Sequence, residues 1–122
     1  MKMAILVVDD DQALLNALTS LFALRMPRAR IETCESAEGA FERLQRDHYD
    51  LLISDINLPG GGLNVLQAAK GVSRSMPVLM ISGSHDPGLK RCVRQMGALD
   101  LIEKPFDRDQ FVRAVVSAMA SQ

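Results

Sequence analysis

The chain has 122 residues, 48% hydrophobic and 24% charged, with 14 Lys+Arg against 15 Asp+Glu and a formal net charge of −1. That length suffices for one domain, residues 1–122, with its own core; the balance excludes a disordered chain and gives no basis for nucleic acid as a direct partner. The apolar start, Met3 to Val8, is too short and wrongly flanked for a signal peptide, and no stretch approaches the roughly 18 apolar residues of a membrane span. The first predicted element is a strand over Ala4 to Val8, a continuous apolar run expected to be buried on both faces. Leu14, Leu15, Leu18, Leu21 and Phe22 follow at helical spacing, and Pro27 prevents continuation. Ile31 and Thr33 alternate with Arg30, Glu32 and Cys34 in a weaker, edge-like strand. Ser36 then caps a helix whose inner face is Ala37, Ala40, Phe41 and Leu44.

The third strand is Leu51 to Ser54, leading through Asn57, Pro59 and three glycines into a short helix with Leu63, Val65, Leu66 and Ala69 inward, stopping near Gly71. Pro77 to Ile81 is a fourth strand. Asp86 followed by Pro87 fits an N-cap with proline at the first helical position, and Leu89, Cys92, Val93 and Met96 form that helix's inner stripe before Gly97 ends it. Leu99 to Ile102 is the fifth strand. Asp107 with Gln110 opens the last helix, whose inward positions are Phe111, Val112, Val115, Val116 and Met119. Strict alternation of strands and helices implies an α/β domain with a mainly parallel sheet covered on both faces. Cys34 and Cys92 have no ligand-like spacing and are expected to be reduced, partly buried thiols of a cytoplasmic protein. His48 and His85 are expected to be solvated.

In such sheets ligands bind outside the carboxyl ends of the strands. Those ends carry Asp9, Asp10 and Asp11 on strand one, Asp55 on strand three, Ser82 and Gly83 on strand four, and Lys104 and Pro105 on strand five. Each has an ordinary explanation as a turn or cap residue. Together they do not, because converging carboxylates repel: two charges about 4 Å apart cost about 1 kcal/mol in water and about 4 kcal/mol at a partly shielded site. A cation resolves that repulsion, and hard oxygen ligands without cysteine or histidine select Mg²⁺ over zinc. One aspartate among a lysine, a hydroxyl and a divalent ion is a phosphoryl-transfer set, with the aspartate as covalent nucleophile. Asp55 is the strongest candidate, being central and fixed at the end of a buried strand.

The stretches "ILVVDDD", "LLISDINLPG", "VLMISG" and "LIEKPF", in this order and spacing, resemble the CheY-like receiver domain of bacterial two-component response regulators over essentially the whole chain. The resemblance implies a doubly wound, flavodoxin-like (βα)5 domain with sheet order 2-1-3-4-5. It implies that Asp55 is phosphorylated by the phosphohistidine of a sensor histidine kinase or phosphotransfer protein. Mg²⁺ would be held by Asp10, Asp55 and the backbone carbonyl of Asn57, with Asp9 acting through a water. Ser82 would be the switch hydroxyl, the Gly83 backbone and Lys104 would bind the phosphoryl group, and the bond before Pro105 would be cis. Asn57 and Ser84 would tune loss of the phosphoryl group, and Asp11 reads as a helix cap. No turnover of an external substrate is expected.

The chain departs from the family at three places. The turn Pro59 to Leu63 is one residue shorter than usual, Leu101 stands where many receivers place a tyrosine or phenylalanine, and Gly83 follows the switch hydroxyl directly. The output face would lie on helix four, strand five and helix five, with Leu101, Lys90, Arg91 and Arg94 as its candidates. The three cations share one helix face by i+3 and i+4 spacing, which fits a merely solvated face as well as an output or homodimer interface. A Mg²⁺-dependent phosphatase of haloacid dehalogenase type would share the nucleophile, but it needs a second aspartate where this chain has Asn57. A flavin carrier would share the sheet, but three aspartates after strand one would repel its phosphate. Stand-alone regulator and receiver of a longer regulator both remain open.

Overall fold

Residues 3–120 are described in a computed structural model. The elements alternate as β1 (Ala4–Val8), α1 (Gln12–Arg25), β2 (Arg30–Cys34), α2 (Ala37–Arg46), β3 (Leu51–Asp55), α3 (Gly62–Val72), β4 (Val78–Ser82), α4 (Pro87–Gln95), β5 (Asp100–Glu103) and α5 (Arg108–Ala120). All four strand pairings are parallel and the order is β2-β1-β3-β4-β5. The expected doubly wound sheet is therefore the observed one, with β2 at an edge as its half-exposed side chains require.

Period-2 alternation divides the strand residues between two cores. Leu6, Val8, Leu52, Met80 and Leu101 face α2, α3 and α4, where they meet Ala40, Leu44, Val65, Leu66 and Val93. Ile5, Val7, Ile53, Ile81 and Ile102 face α1 and α5, where they meet Leu15, Leu18, Phe22, Phe111 and Val115. Phe111 is fully buried and stacks on Phe106 with ring centroids 4.8 Å apart, while Phe22 meets it edge-on at 5.9 Å. Truncating Phe111 to alanine would cost about 3–5 kcal/mol through lost burial and a residual cavity.

The helix starts follow side-chain capping. Asp11 accepts from the Leu14 amide at 3.2 Å, Ser36 from Gly39 at 3.1 Å, Asp86 from Gly88 at 2.9 Å and Asp107 from Gln110 at 3.1 Å. Gly97, at φ +107°, turns the chain out of α4.

Several expectations need correction. β3 includes Asp55, and β4 and β5 each lie one residue later than expected, ending on Ser82 and Glu103. Leu99 consequently lies outside β5 and is 40% exposed. Val116 is 51% exposed, because Phe111, Val112, Val115 and Ala118 already complete the inward stripe of α5 and Val116 is rotated off it. The two histidines are exposed but not unpartnered: His48 Nε2 lies 3.5 Å from Asp50 Oδ1, and His85 Nδ1 contacts Glu103 Oε2. Cys34 and Cys92 are free and half-buried. No helix among the described residues is long and apolar enough to cross a membrane.

Candidate functional site

The carboxyl ends of β1, β3 and β5 converge. β1 runs directly into Asp9, whose amide donates to the Cys34 carbonyl at 3.1 Å. That tie to the edge strand keeps the Asp9 side chain inside the fold at 0% exposure. Asp55 is the last residue of β3, in register with Ile81 of β4, and is 4% exposed. The next residue, Ile56, donates its amide to the Ile81 carbonyl at 2.9 Å, so the exit from β3 is still braced by β4. The Lys104 amide donates to the Ser82 carbonyl at 2.8 Å, which fixes the exit from β5 in the same way.

Braced like this, Lys104 extends its ammonium between the two buried acids. Nζ donates to Asp9 Oδ2 at 3.0 Å and to Asp55 Oδ2 at 2.9 Å. The other oxygen of each carboxylate takes a backbone amide: Asp11 donates to Asp9 Oδ1 at 2.9 Å, and Asn57 donates to Asp55 Oδ1 at 3.0 Å. Asp9, Asp10 and Asp55 each offer an oxygen within 4.8 Å of the others, and Asp10 is exposed. When all are ionised, three carboxylates face one ammonium, so the cluster carries excess negative charge. An all-oxygen donor set of this charge, open to solvent at Asp10, suits a hard divalent cation.

The electrostatics follow from burial. Loss of water is the largest influence on Asp9 and drives its carboxyl above the ordinary carboxylate value. The Asp11 amide and Lys104 pull it down, and the Asp55 charge adds to the rise. For Lys104, burial opposes the charge, but the hydrogen bonds to Asp55 and Asp9 outweigh it and raise the ammonium above its usual value.

Ser82 closes β4 with 0% exposure, and its Oγ accepts from the Ser84 amide at 3.0 Å. Ser84 Oγ accepts in turn from the Asp86 amide at 3.2 Å, which makes the β4–α4 connection a run of local side-chain turns. A Cβ built on Gly83 would meet nothing within 4 Å, so the approach beside Ser82 is open. The Lys104–Pro105 bond is cis.

Of the output-face candidates, Leu101 lies inward and the three cations of α4 share one exposed face. Leu101 is 6% exposed and points into the core beneath α4, because alternation along β5 places it inward. Lys90, Arg91 and Arg94 are all exposed and line one surface of α4, and Lys90 Nζ and Arg94 Nη2 lie 3.3 and 3.2 Å from Asp100 Oδ1, latching α4 to the start of β5. Two contacts were not legible beforehand. His85 reaches Glu103 because Glu103 is paired in register with Ser82, three residues before His85. Gly62 packs against the backbone of Asp55, which a run of identical glycines does not announce.

A family model described as "Response regulator receiver domain" matches residues 5–116. The transcriptional regulatory protein FixJ of Bradyrhizobium diazoefficiens is 28% identical over 116 residues, covering 94% of this chain and 56% of its own length. The response regulator protein TodT of Pseudomonas putida is 31% identical over 116 residues, covering 94% of this chain and 50% of its own. The chain thus spans about half the length of these curated relatives. A CheY-like response regulator receiver domain protein from Methanospirillum hungatei superposes with a TM-score of 0.91 at 21% identity, over 98% of this chain and 95% of that one, and shares the fold.

Proposed function

The chain belongs to the response regulator receiver domain family of two-component systems, and we propose that it accepts a phosphoryl group onto Asp55 from the phosphohistidine of a sensor histidine kinase or phosphotransfer protein. The observation that carries this is the single ammonium of Lys104 held between buried Asp9 and Asp55 beside exposed Asp10. An Asp55 carboxylate oxygen attacks phosphorus, the P–N bond of the donor breaks with its pair passing to the imidazole nitrogen, and a proton already carried on the ring's other nitrogen leaves the departing imidazole neutral. The product is an acyl phosphate, and no other reactant is consumed.

Mg²⁺ would be held by Asp10, Asp55 and the Asn57 backbone carbonyl, with Asp9 acting through a water, and it would offset charge on the phosphoryl oxygens. Lys104, already hydrogen-bonded to Asp55, exchanges that contact for a phosphoryl oxygen as charge builds there. Ser82 leaves the Ser84 amide to donate its hydroxyl to another oxygen, and the Gly83 amide lies next in the chain to assist. Because Ser84 and Asp86 are chained to Ser82 through hydroxyl-to-amide bonds, this exchange draws the connection to α4 with it. A two-state equilibrium of the α4–β5–α5 face then reports the modification to an output partner or to a second copy of the chain.

No external substrate is turned over, and neither nucleic acid nor a membrane is contacted by this domain, which works in the cytoplasm. The haloacid dehalogenase alternative lacks its acid/base, since Asn57 stands two residues after Asp55. Incubation with phosphate esters and, separately, with a phosphorylated histidine kinase discriminates the two: ester hydrolysis would overturn the receiver assignment, and stoichiometric transfer to Asp55 supports it.

A further inference from the structure

We propose that Gly62 is a positioning residue for the phosphoacceptor: lacking a side chain, it seats the first turn of α3 on the Asp55–Ile56 backbone and so sets the path that carries Asn57 past the Asp55 carboxylate. The proposal rests on the phosphoacceptor function assigned to Asp55 above.

Gly60, Gly61 and Gly62 are indistinguishable in sequence, yet the first two and the third are required for different reasons. Gly60 and Gly61 both have φ +89°, a conformation that side-chain-bearing residues rarely adopt. Gly62 does not share it; it is the first residue of α3, in an ordinary backbone conformation. Its requirement is space. A Cβ there would lie 2.0 Å from the Asp55 carbonyl oxygen, 2.5 Å from Ile56 Cα and 2.7 Å from the Ile56 carbonyl oxygen. All three are backbone atoms of the nucleophile and its successor, so no side-chain rotation relieves the overlap.

Its neighbours press elsewhere. A Cβ on Gly60 would meet Ala37 Cβ at 2.7 Å, and one on Gly61 would meet Asn64 Nδ2 at 2.9 Å. Gly62 is also bonded to the same segment, its amide donating to the Ile56 carbonyl at 2.9 Å. Residues 55–57 are therefore held between β4, through Ile56 to Ile81, and the start of α3, through Gly62. Within that grip the Asn57 amide reaches Asp55 Oδ1 at 3.0 Å. Any side chain at position 62 must lift α3 or displace this backbone, and displacement moves the carboxylate and the Asn57 carbonyl together. A misplacement on the order of 1 Å costs about a hundredfold in a positioned reaction.

The test compares Gly60→Ala, Gly61→Ala and Gly62→Ala, with fold checked by circular dichroism and Mg²⁺ affinity measured by calorimetry. Gly60→Ala and Gly61→Ala should lower Tm but bind Mg²⁺ within about twofold of the parent. Gly62→Ala should bind it about tenfold more weakly or worse while folded. Parent-like Mg²⁺ binding by Gly62→Ala, or equal weakening in all three, would overturn the proposal. Where Gly62→Ala does not fold, hydrogen exchange on the parent protein decides. Mg²⁺ should slow exchange of the Gly62 amide, bonded to Ile56, and leave the Gly61 amide, bonded to Leu58, unchanged; equal responses overturn the proposal. A parent protein that binds no Mg²⁺ overturns the phosphoacceptor function itself, and this proposal with it.

Discussion

Lys104 Nζ sits 3.0 Å from Asp9 Oδ2 and 2.9 Å from Asp55 Oδ2, joining acids that lie 95 and 49 residues away in the chain. One cation thus fastens three strand ends. Replacing it, as in Lys104→Met, should destabilise the metal-free protein by about 2 kcal/mol, the usual worth of hydrogen bonds to charged groups. The loss should shrink when Mg²⁺ is added, because the acidic cluster left without its ammonium binds the cation more tightly than the parent does and gains more stability from it. Urea unfolding with and without Mg²⁺ measures both. The pH dependence has a definite sign. Lys104 has its folded value raised above 10.5, so its contribution is complete below 10.5 and is lost as pH rises through the folded value. The parent should lose that stability at alkaline pH, and Lys104→Met should not.

Asp9 titrates in the opposite sense for an acid. Its folded value lies above 3.8, chiefly through burial, so between the two values the folded state binds more protons and stability falls as pH rises. Ionised Asp9 therefore costs stability at neutral pH. Asp9→Asn should raise the Tm of the metal-free protein by roughly 4 °C, corresponding to about 1 kcal/mol in a domain of this size. The same substitution should weaken Mg²⁺ binding. Calorimetric melting and Mg²⁺ titration on one sample check the trade.

These charges explain how much of the molecule could be read in advance. Strand-end chemistry was legible because alternation in the sheet is strict: once Ala4–Val8 and Leu51–Ser54 read as buried strands, Asp9 and Asp55 had to emerge at the same edge. The caps Asp11, Ser36, Asp86 and Asp107 were equally local, each a short polar side chain two or three residues before the amide it accepts from. What failed was rotational phase and distant pairing. Val116 is apolar and one position off the stripe, so composition suggested burial while geometry exposes it. His85 with Glu103 depends on the β4–β5 register, and Lys90 and Arg94 with Asp100 on how α4 docks beside β5, neither of which a local pattern encodes. The glycine run hid two requirements, positive φ and close approach, behind one residue type.

The open space around Gly83 makes a substitution there informative. Its Cβ would meet nothing within 4 Å and its φ is not positive. Gly83→Ala should therefore stabilise the fold by about 0.4–1 kcal/mol through the unfolded chain's reduced freedom. Phosphorylation by a small donor should be nearly unchanged, and a bulkier Gly83→Val should slow it by narrowing the approach beside Ser82. Chemical unfolding and initial labelling rates separate the two effects.

The His85–Glu103 contact ties the β4–α4 connection to the end of β5. Both side chains are more than half exposed, at 68% and 51%, so the pair contributes less than about 1 kcal/mol to stability. Its consequence should be local. Glu103→Gln should lower Tm by no more than about 4 °C while speeding amide exchange at Ser84, His85 and Asp86 by about two- to fivefold, the equivalent of that energy.

Mass spectrometry of the intact chain after treatment with acetyl phosphate and Mg²⁺ tests the central claim most directly. The parent should gain the mass of one phosphoryl group, in a linkage cleaved by alkali and by hydroxylamine as an acyl phosphate is, and Asp55→Asn should gain none. Equal labelling of Asp55→Asn, or an unlabelled parent that binds Mg²⁺, would contradict the assignment of Asp55 as the phosphoacceptor.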